Sequence, residues 1–301
     1  MKLKTDEANK IDLHIHSHYS DGSMSPADIV GAARDAGLRV IAFTDHDTVS
    51  GVREALEAAE AINNAGAPAA APGSLITVIP GVEISVDYAY PLHMLGYFRR
   101  DSYEKIGVFL ENMTRERHMR NVAVIRRLNE IGIDITVEEV AKIAGIEIFG
   151  RPHIADALVK KNIVRTYTEA FQEYLLAGRI AYVEKRSLPP EECAAAIADA
   201  GGLPVIAHPA NLGMKLRDIK TLVKSLIKSG LYGIEAYYSE NTSKETENFV
   251  KLAHELKIQT TGGSDFHGEY RKYVKLGSGA DDSLRMPESV ADEMMKALYG
   301  L

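Results

Sequence analysis

Short apolar runs alternate with amphipathic helical stretches along most of this chain, and many of the runs lead directly into a histidine or a carboxylate. Ile11-Asp12-Leu13 leads into His14, after which Ser25-Pro26 gives a helix start with proline at the first helical position and Gly37 supplies the stop. Val40-Ile41-Ala42-Phe43 is the kind of continuous apolar run that a parallel sheet buries; Thr44-Asp45-His46 and a helical stretch through Ala65 follow it. Leu75 to Val82, Leu92 to Phe98, Val205-Ile206-Ala207, Gly233-Ile234-Glu235-Ala236 and Gln259-Thr260-Thr261 have strand character, and amphipathic helices near 189–200, 216–229 and 243–256 separate the later ones. This alternation predicts an α/β fold with a mainly parallel sheet.

Between 101 and 182 the strand signal gives way to helical patterns. Val122, Ile125, Leu128 and Ile131 recur every three residues, Thr136 with Glu139 forms a capping-box pattern, and Ile154 to Val159 and Phe171 to Leu176 predict two short helices. The expectation is a helical insertion at 101–182 that interrupts a barrel formed by 1–100 and 183–301 and covers its active site. The Ala-, Gly- and Pro-rich stretch from Ala65 to Gly73 predicts a surface loop.

The 301 residues suit one barrel plus an insertion, and an apolar content of 46% supplies a core without disulfides. Cys193, the single cysteine, lies in a helix-like stretch and predicts a small buried thiol. No apolar run approaches the roughly 20 residues that span a bilayer, and the first residues lack the hydrophobic segment of a signal peptide, so a cytoplasmic protein without a membrane partner is expected. A net charge of −7 opposes broad binding to duplex DNA and leaves room for a small phosphorylated substrate, a nucleotide or short single-stranded RNA.

The chemistry lies in the histidines. Of ten, six stand at or just beyond strand-like runs: His14, His16, His46, His93, His208 and His267. In barrels the carboxyl ends of the strands converge on one rim. His14 and His16, two apart on a strand, face the same way and reach one ion together. Asp21, Glu83 and Asp265 occupy matching positions, making nine nitrogen and oxygen donors without thiolates. That set suits two or three divalent ions, with manganese, iron and zinc all compatible. His118 and His254 lie in charged helical patterns and predict solvated groups. Asp45 beside His46 predicts either an orienting partner of an imidazole or a helix cap.

Asp12-Leu13-His14-Ile15-His16, Ser20-Asp21-Gly22, Thr44-Asp45-His46, Gly81-Val82-Glu83, His208-Pro209 and Ser264-Asp265-Phe266-His267 follow one another over nearly the whole chain outside the insertion. In these motifs the chain resembles the polymerase-and-histidinol-phosphatase family, the PHP domains. The resemblance implies a distorted (β/α)7 barrel with a trinuclear metal centre on its rim. It places His14, His16, Glu83 and Asp265 on the first ion. Glu83 bridges to a second, held also by His93 and His208, and Asp21, His46 and His267 hold a third. Some members carry histidine where Asp21 stands, which implies a third site that is weaker or differently selective here.

Three divalent ions against three carboxylates leave a surplus of about three positive charges, which attracts phosphate. The expected chemistry is hydrolysis of a phosphate ester by metal-activated hydroxide, with no covalent intermediate, and His18 is an outer-sphere candidate for the leaving-group proton. Gly150-Arg151-Pro152-His153 combines a fork donor with an imidazole at a helix start; relatives of the family carry a similar Arg-Pro-His segment that grips phosphate, so Arg151 and His153 are the candidate substrate contacts. Arg115, Arg117 and Arg120 have the pattern of a solvated helix face. Tyr237 and Tyr238 either stack on a base or line the rim. Resemblance to the branch with a helical insertion and the Asp21 variant implies release of the 3′-phosphate of a nucleoside 3′,5′-bisphosphate, or trimming of short RNA from its 5′ end. The competitors are histidinol-phosphate phosphatase, a proofreading-type phosphodiesterase, a metal-dependent amidohydrolase and a non-catalytic PHP module. Intact donors at all nine positions and the lack of an accompanying polymerase segment oppose the last. The lack of an evident bridging-lysine motif opposes the amidohydrolase.

Overall fold

The computed structural model describes residues 10–65, 75–86, 88, 90–144, 151–184 and 189–300. They fall into two compact units, Met1–Gly107 with Leu188–Leu301, and Val108–Ser187. The second unit thus starts and ends several residues later than the 101–182 of the sequence pattern, because 103–106 forms a short 3-10 helix whose Tyr103 and Ile106 are buried in the first unit's part of the chain. The loop expected at 65–73 lies, beyond Ala65, outside the described residues, as does Gly150.

The first unit is built on the strands β1 (Ile11–Ile15), β2 (Val40–Phe43), β3 (Thr77–Ser85), β4 (His93–Tyr97), β5 (Leu203–Ile206), β6 (Gly233–Tyr238) and β7 (Gln259–Gly263), paired in that order. Past β7 the chain returns to β1: Asp265 N–H donates to the His14 carbonyl and His16 N–H to the Phe266 carbonyl, each at 2.9 Å. The sheet is therefore a nearly closed seven-stranded barrel, as expected. Most pairs are parallel, but β4 runs antiparallel to both neighbours, with His93 opposite Ser85 and Leu95 opposite Val205. The cause is local: only 86–92 separate β3 from β4, enough for a hairpin and too little for the crossover that a parallel pair needs.

The helices are α1 (Pro26–Asp35), α2 (Val52–Ala65), α3 (Gly107–Glu130), α4 (Val137–Ala144), α5 (Arg151–Lys160), α6 (Tyr167–Ala170), α7 (Pro190–Asp199), α8 (Leu216–Ile227), α9 (Ser243–Leu256) and α10 (Ser289–Tyr299). At α1 the Ser25 hydroxyl accepts from Asp28 N–H at 3.1 Å and Pro26 opens the first turn. One cluster joins Ile11, Leu13, Ala42, Ile79, Leu95 and Val205 of the strands to Val290, Met294 and Leu298 of α10, so this last helix seals the strands' apolar interior. Cys193 is buried in α7. No helix among the described residues is long and apolar enough to cross a membrane.

The second unit packs Val124, Ile125 and Leu128 of α3 against Val140, Ile154, Leu158 and Leu175. Its stripe differs from the every-third pattern: Val124 is fully buried and Ile131, just past the helix end, is exposed, because a 3.6-residue turn carries a strict three-residue repeat off the packed face. The Thr136–Glu139 capping box forms both of its bonds, at 2.9 and 3.1 Å. The stretch expected as a helix at 171–176 is a π turn, Phe171–Leu175, continuing α6.

Barrel closure depends on Asp12. Its fully buried carboxylate accepts from Ser264 N–H (2.8 Å), Ser264 Oγ (2.5 Å) and Gly277 N–H (2.8 Å), tying β1 to the segment after β7. Asp12→Ala leaves these buried donors without an acceptor, and we expect it to lower stability by about 2–4 kcal/mol in urea unfolding. A loss under about 1 kcal/mol would show that closure does not depend on this carboxylate.

Candidate metal centre

Each donor reaches the rim through a particular backbone device. In β1 the register slips between Asp12 and Ile15, a bulge that redirects the strand next to the site. His46 follows β2 and bridges to Glu83. His93 opens β4, and because β4 is reversed its first residue, not its last, sits beside the end of β3. His208 and Asp265 follow β5 and β7 with φ of 25° and 59°. Such left-handed backbone costs of order 1–3 kcal/mol in a non-glycine residue and turns the side chain where a regular strand would not.

The nine expected donors fall into overlapping groups whose ligand atoms lie within 4.8 Å of one another: His14, His16 and Asp265; His14, Glu83 and His208; His46, Glu83 and His93; and His16, Asp21, His46 and His267. Glu83, 1% exposed, is the hub. Its Oε2 lies 3.4 Å from His14 Nε2, 3.2 Å from His16 Nε2 and 3.2 Å from His46 Nδ1. Its Oε1 lies 2.9 Å from His93 Nδ1 and 2.8 Å from His208 Nε2. Asp265 Oδ1 adds edges of 3.5 and 3.2 Å to His14 and His16. Asp21, whose side chain is 53% exposed, stands 3.3 Å from His267 Nε2 and 3.6 Å from His46 Nε2.

These distances fit a metal. Donors bound at about 2.0–2.2 Å to one ion sit roughly 3.0–3.6 Å from one another. The 3.1 Å approach of His14 Nε2 to His16 Nε2 brings together two nitrogens that gain more from a shared cation than from each other. His46 Nδ1 is buried without a hydrogen-bond partner although it lies 3.2 Å from Glu83 Oε2. Without ions the groups compensate mutually. Burial alone would raise the Glu83 carboxyl, yet His46, His93 and His14 hold it well below the usual range. Burial opposes protonation of His16, but its hydrogen bonds and proximity to Asp265 and Glu83 push it up to about 10.

Several participants were not apparent in the sequence. Glu235, fully buried on β6, accepts from His14 Nδ1 at 2.9 Å and from His208 N–H at 2.7 Å. This sets the His14 tautomer and leaves Nε2 facing Glu83 and Asp265. A charged residue inside the run Gly233-Ile234-Glu235-Ala236 was the available signal. Arg271 donates to Asp265 Oδ2 (2.5 Å), and the Tyr238 hydroxyl donates to the same oxygen (2.9 Å). Tyr238 is buried and lines the cluster, while Tyr237 is partly buried and packs on the barrel core.

Asp45 accepts from Ser17 N–H, Ser17 Oγ and Ser20 Oγ, each at 2.7 Å, and so organises the loop that carries Asp21, in place of the imidazole-orienting or helix-capping role. His18 is exposed, its ring 4.8 Å from that of Tyr19. His254 is exposed and His118 half-buried. Arg120 departs from the solvated-face expectation: it donates to the Val183 carbonyl at 2.9 Å and lies over the Tyr182 ring. Arg115 pairs with Asn112, and the Arg117 side chain lies outside the described set. On α5, Arg151 donates to the Leu175 carbonyl at 3.2 Å and lies over Phe171, while burial lowers the pKa of the half-buried His153.

The PHP domain model matches residues 12–273. The chain belongs to the PHP domain family. A 5′-3′ exoribonuclease of Haemophilus influenzae is 30% identical over 273 residues, 90% of this chain and 94% of that protein. A phosphoribosyl 1,2-cyclic phosphate 1,2-diphosphodiesterase of Eggerthella lenta is 27% identical, covering 88% and 97%. A 3′,5′-nucleoside bisphosphate phosphatase of Chromobacterium violaceum is 29% identical, covering 85% and 87%. Among solved structures, one from Bifidobacterium adolescentis, assigned as a metal-dependent phosphoesterase, aligns with a TM-score of 0.73 at 30% identity over 97% of both chains. As a PHP protein with this rim, the chain is a metal-dependent hydrolase of phosphate esters.

Both oxygens of Glu235 accept, and an amide offers only one acceptor, so Glu235→Gln sets an NH2 against His14 or His208. We expect about 10–100-fold weaker metal binding in competition with a chelating dye. Unchanged affinity would remove Glu235 from any role in orienting the donors.

Proposed function

We propose that this PHP phosphoesterase releases the 3′-phosphate of a nucleoside 3′,5′-bisphosphate or trims short RNA from its 5′ end. In this assignment His14, His16, Glu83 and Asp265 hold one divalent ion, Glu83, His93 and His208 a second, and Asp21, His46 and His267 a third. The observation that carries it is the division of Glu83, whose two oxygens face different sets of imidazoles and suit a bridge between two ions. Nitrogen and oxygen donors without sulfur suit manganese, iron or zinc.

Ions bound there supply Lewis acidity to the phosphoryl oxygens and depress the pKa of water. The chain's own groups do the rest. Glu235 and the Asp265 carbonyl, which accepts from His267 Nδ1 at 2.8 Å, hold the imidazoles in the tautomers that present the opposite nitrogen to the cluster. Asp21 is the donor open to solvent and so to the ester. His18, exposed three residues before it, is our candidate for handing a ring proton to the leaving alkoxide. Arg151 and His153 are our candidates for gripping substrate phosphate, by charge-assisted hydrogen bonds. The exoribonuclease and the bisphosphate phosphatase among the relatives support the choice of substrate.

The test uses protein loaded with manganese, iron or zinc and reads phosphate release from nucleoside 3′,5′-bisphosphates, mononucleotide release from short RNA, ring opening of a ribosyl cyclic phosphate and phosphate release from histidinol phosphate. We expect the first two to be preferred, and Glu83→Ala or chelation to lower turnover by about 10³ or more. Activity surviving both treatments would sink the mechanism; turnover of histidinol phosphate alone would overturn the substrate. Arg151→Ala is expected to raise KM about tenfold with a small change in kcat, and a variant with both constants unaltered would exclude Arg151 from binding.

A further inference from the structure

Just past the last donor, His267, the chain enters a short 3-10 helix, Gly268–Arg271. Two large aromatic residues in and just after it lie open: Tyr270 is 73% exposed and Tyr273 is 55% exposed. Between them Arg271 is half-buried and bonded through all three of its nitrogens. It donates to Asp265 Oδ2 at 2.5 Å, to Glu240 Oε2 at 2.8 Å and to the Tyr273 hydroxyl at 3.3 and 3.4 Å. The Tyr273 hydroxyl in turn donates to Glu240 Oε1 at 3.1 Å, and the guanidinium carbon lies 5.7 Å from the Tyr273 ring centre.

With its donors committed, Arg271 is no free clamp for phosphate. It fixes two things together, the outer oxygen of a metal donor and the ring of an exposed tyrosine. An unrestrained surface tyrosine loses rotamer freedom when something binds it. Tyr273 has surrendered that freedom already, while keeping over half of its surface exposed. An aromatic face held rigid and open, backed by a cation, is suited to a flat π partner. The guanidinium joins the ring to Asp265 so directly that the ring centre stands within about 10 Å of that carboxylate, the reach of a single nucleotide.

We propose that Tyr273, backed by Arg271 and neighboured by Tyr270, is a stacking platform for the nucleobase of the substrate, an inference that rests on the substrate being a nucleotide. Stacking is tolerant of sequence because every base has a π face. The platform therefore selects nucleotides over sugar phosphates without selecting among bases.

The chain has no tryptophan, so Tyr273→Trp introduces a single reporter. Adenosine 5′-monophosphate is expected to quench its fluorescence and ribose 5-phosphate to leave it bright; equal responses would overturn the platform. In kinetics, Tyr273→Ala is expected to raise KM for a nucleoside bisphosphate at least about tenfold more than KM for glycerol phosphate. Tyr273→Phe, which keeps the ring and removes the hydroxyl, is expected to retain most of the nucleotide preference. Loss equal on both substrates, or as large in Tyr273→Phe as in Tyr273→Ala, would overturn stacking and leave only support of Asp265. If the wild type itself shows no preference for nucleotides over glycerol phosphate, the nucleotide assignment falls and takes the platform with it. A wild-type preference that Tyr273→Ala leaves intact removes the platform alone.

Discussion

A carboxylate buried at the centre of a protein is an expense, because removing an ion from water costs several kcal/mol unless neighbours compensate. Glu83 is such a carboxylate, and five imidazoles surround it: three near one oxygen and two near the other. The compensation explains much of the surrounding architecture. The bulge in β1, the reversal of β4 and the left-handed backbone at His208 and Asp265 each depart from regular barrel geometry, and each delivers a group that meets Glu83 or Asp265. Glu235 lies one layer further out, is as fully buried as His14, and holds that ring in the required orientation.

The cluster is graded from inside to outside. His14, His16 and Glu83 are sealed, His46 and His93 are partly open, and Asp21 stands half in solvent. A substrate arriving from the open side therefore meets Asp21 first, whereas the hub is insulated from bulk water, where its interactions would be weaker.

The parts of this arrangement that are local in sequence were legible there. Apolar runs such as Val40 to Phe43 announce strands by composition, and His14 with His16 announces a shared face by spacing. What required three dimensions was hidden. The direction of β4 follows from the short link to β3, but its consequence, that His93 belongs at the beginning and not the end of a strand, emerges only from the pairing. Glu235 stands inside an apolar run and Arg271 in a charged stretch, so neither advertises that its partner is 221 residues away in one case and six in the other. The sequence leaves Tyr238 either stacking on a base or lining the rim, and only its burial and the bond from its hydroxyl to Asp265 decide for the rim. α10 contributes a face that has meaning only once the strands it seals have curved.

The β3–β4 hairpin also sets some donors apart from others by the length of chain that must close to unite them. Glu83 and His93 are ten residues apart, whereas Asp12 and Ser264 are separated by 252. Loop-closure entropy rises with the logarithm of that separation, making the second meeting costlier by about 3 kcal/mol. The hub and one of its imidazoles can thus assemble as soon as a hairpin forms, while His14, His16 and Asp265 gather only when the two ends of the barrel join. The complete set of donors therefore exists only in the closed barrel, and a chain that holds all of them has, by that fact, finished closing.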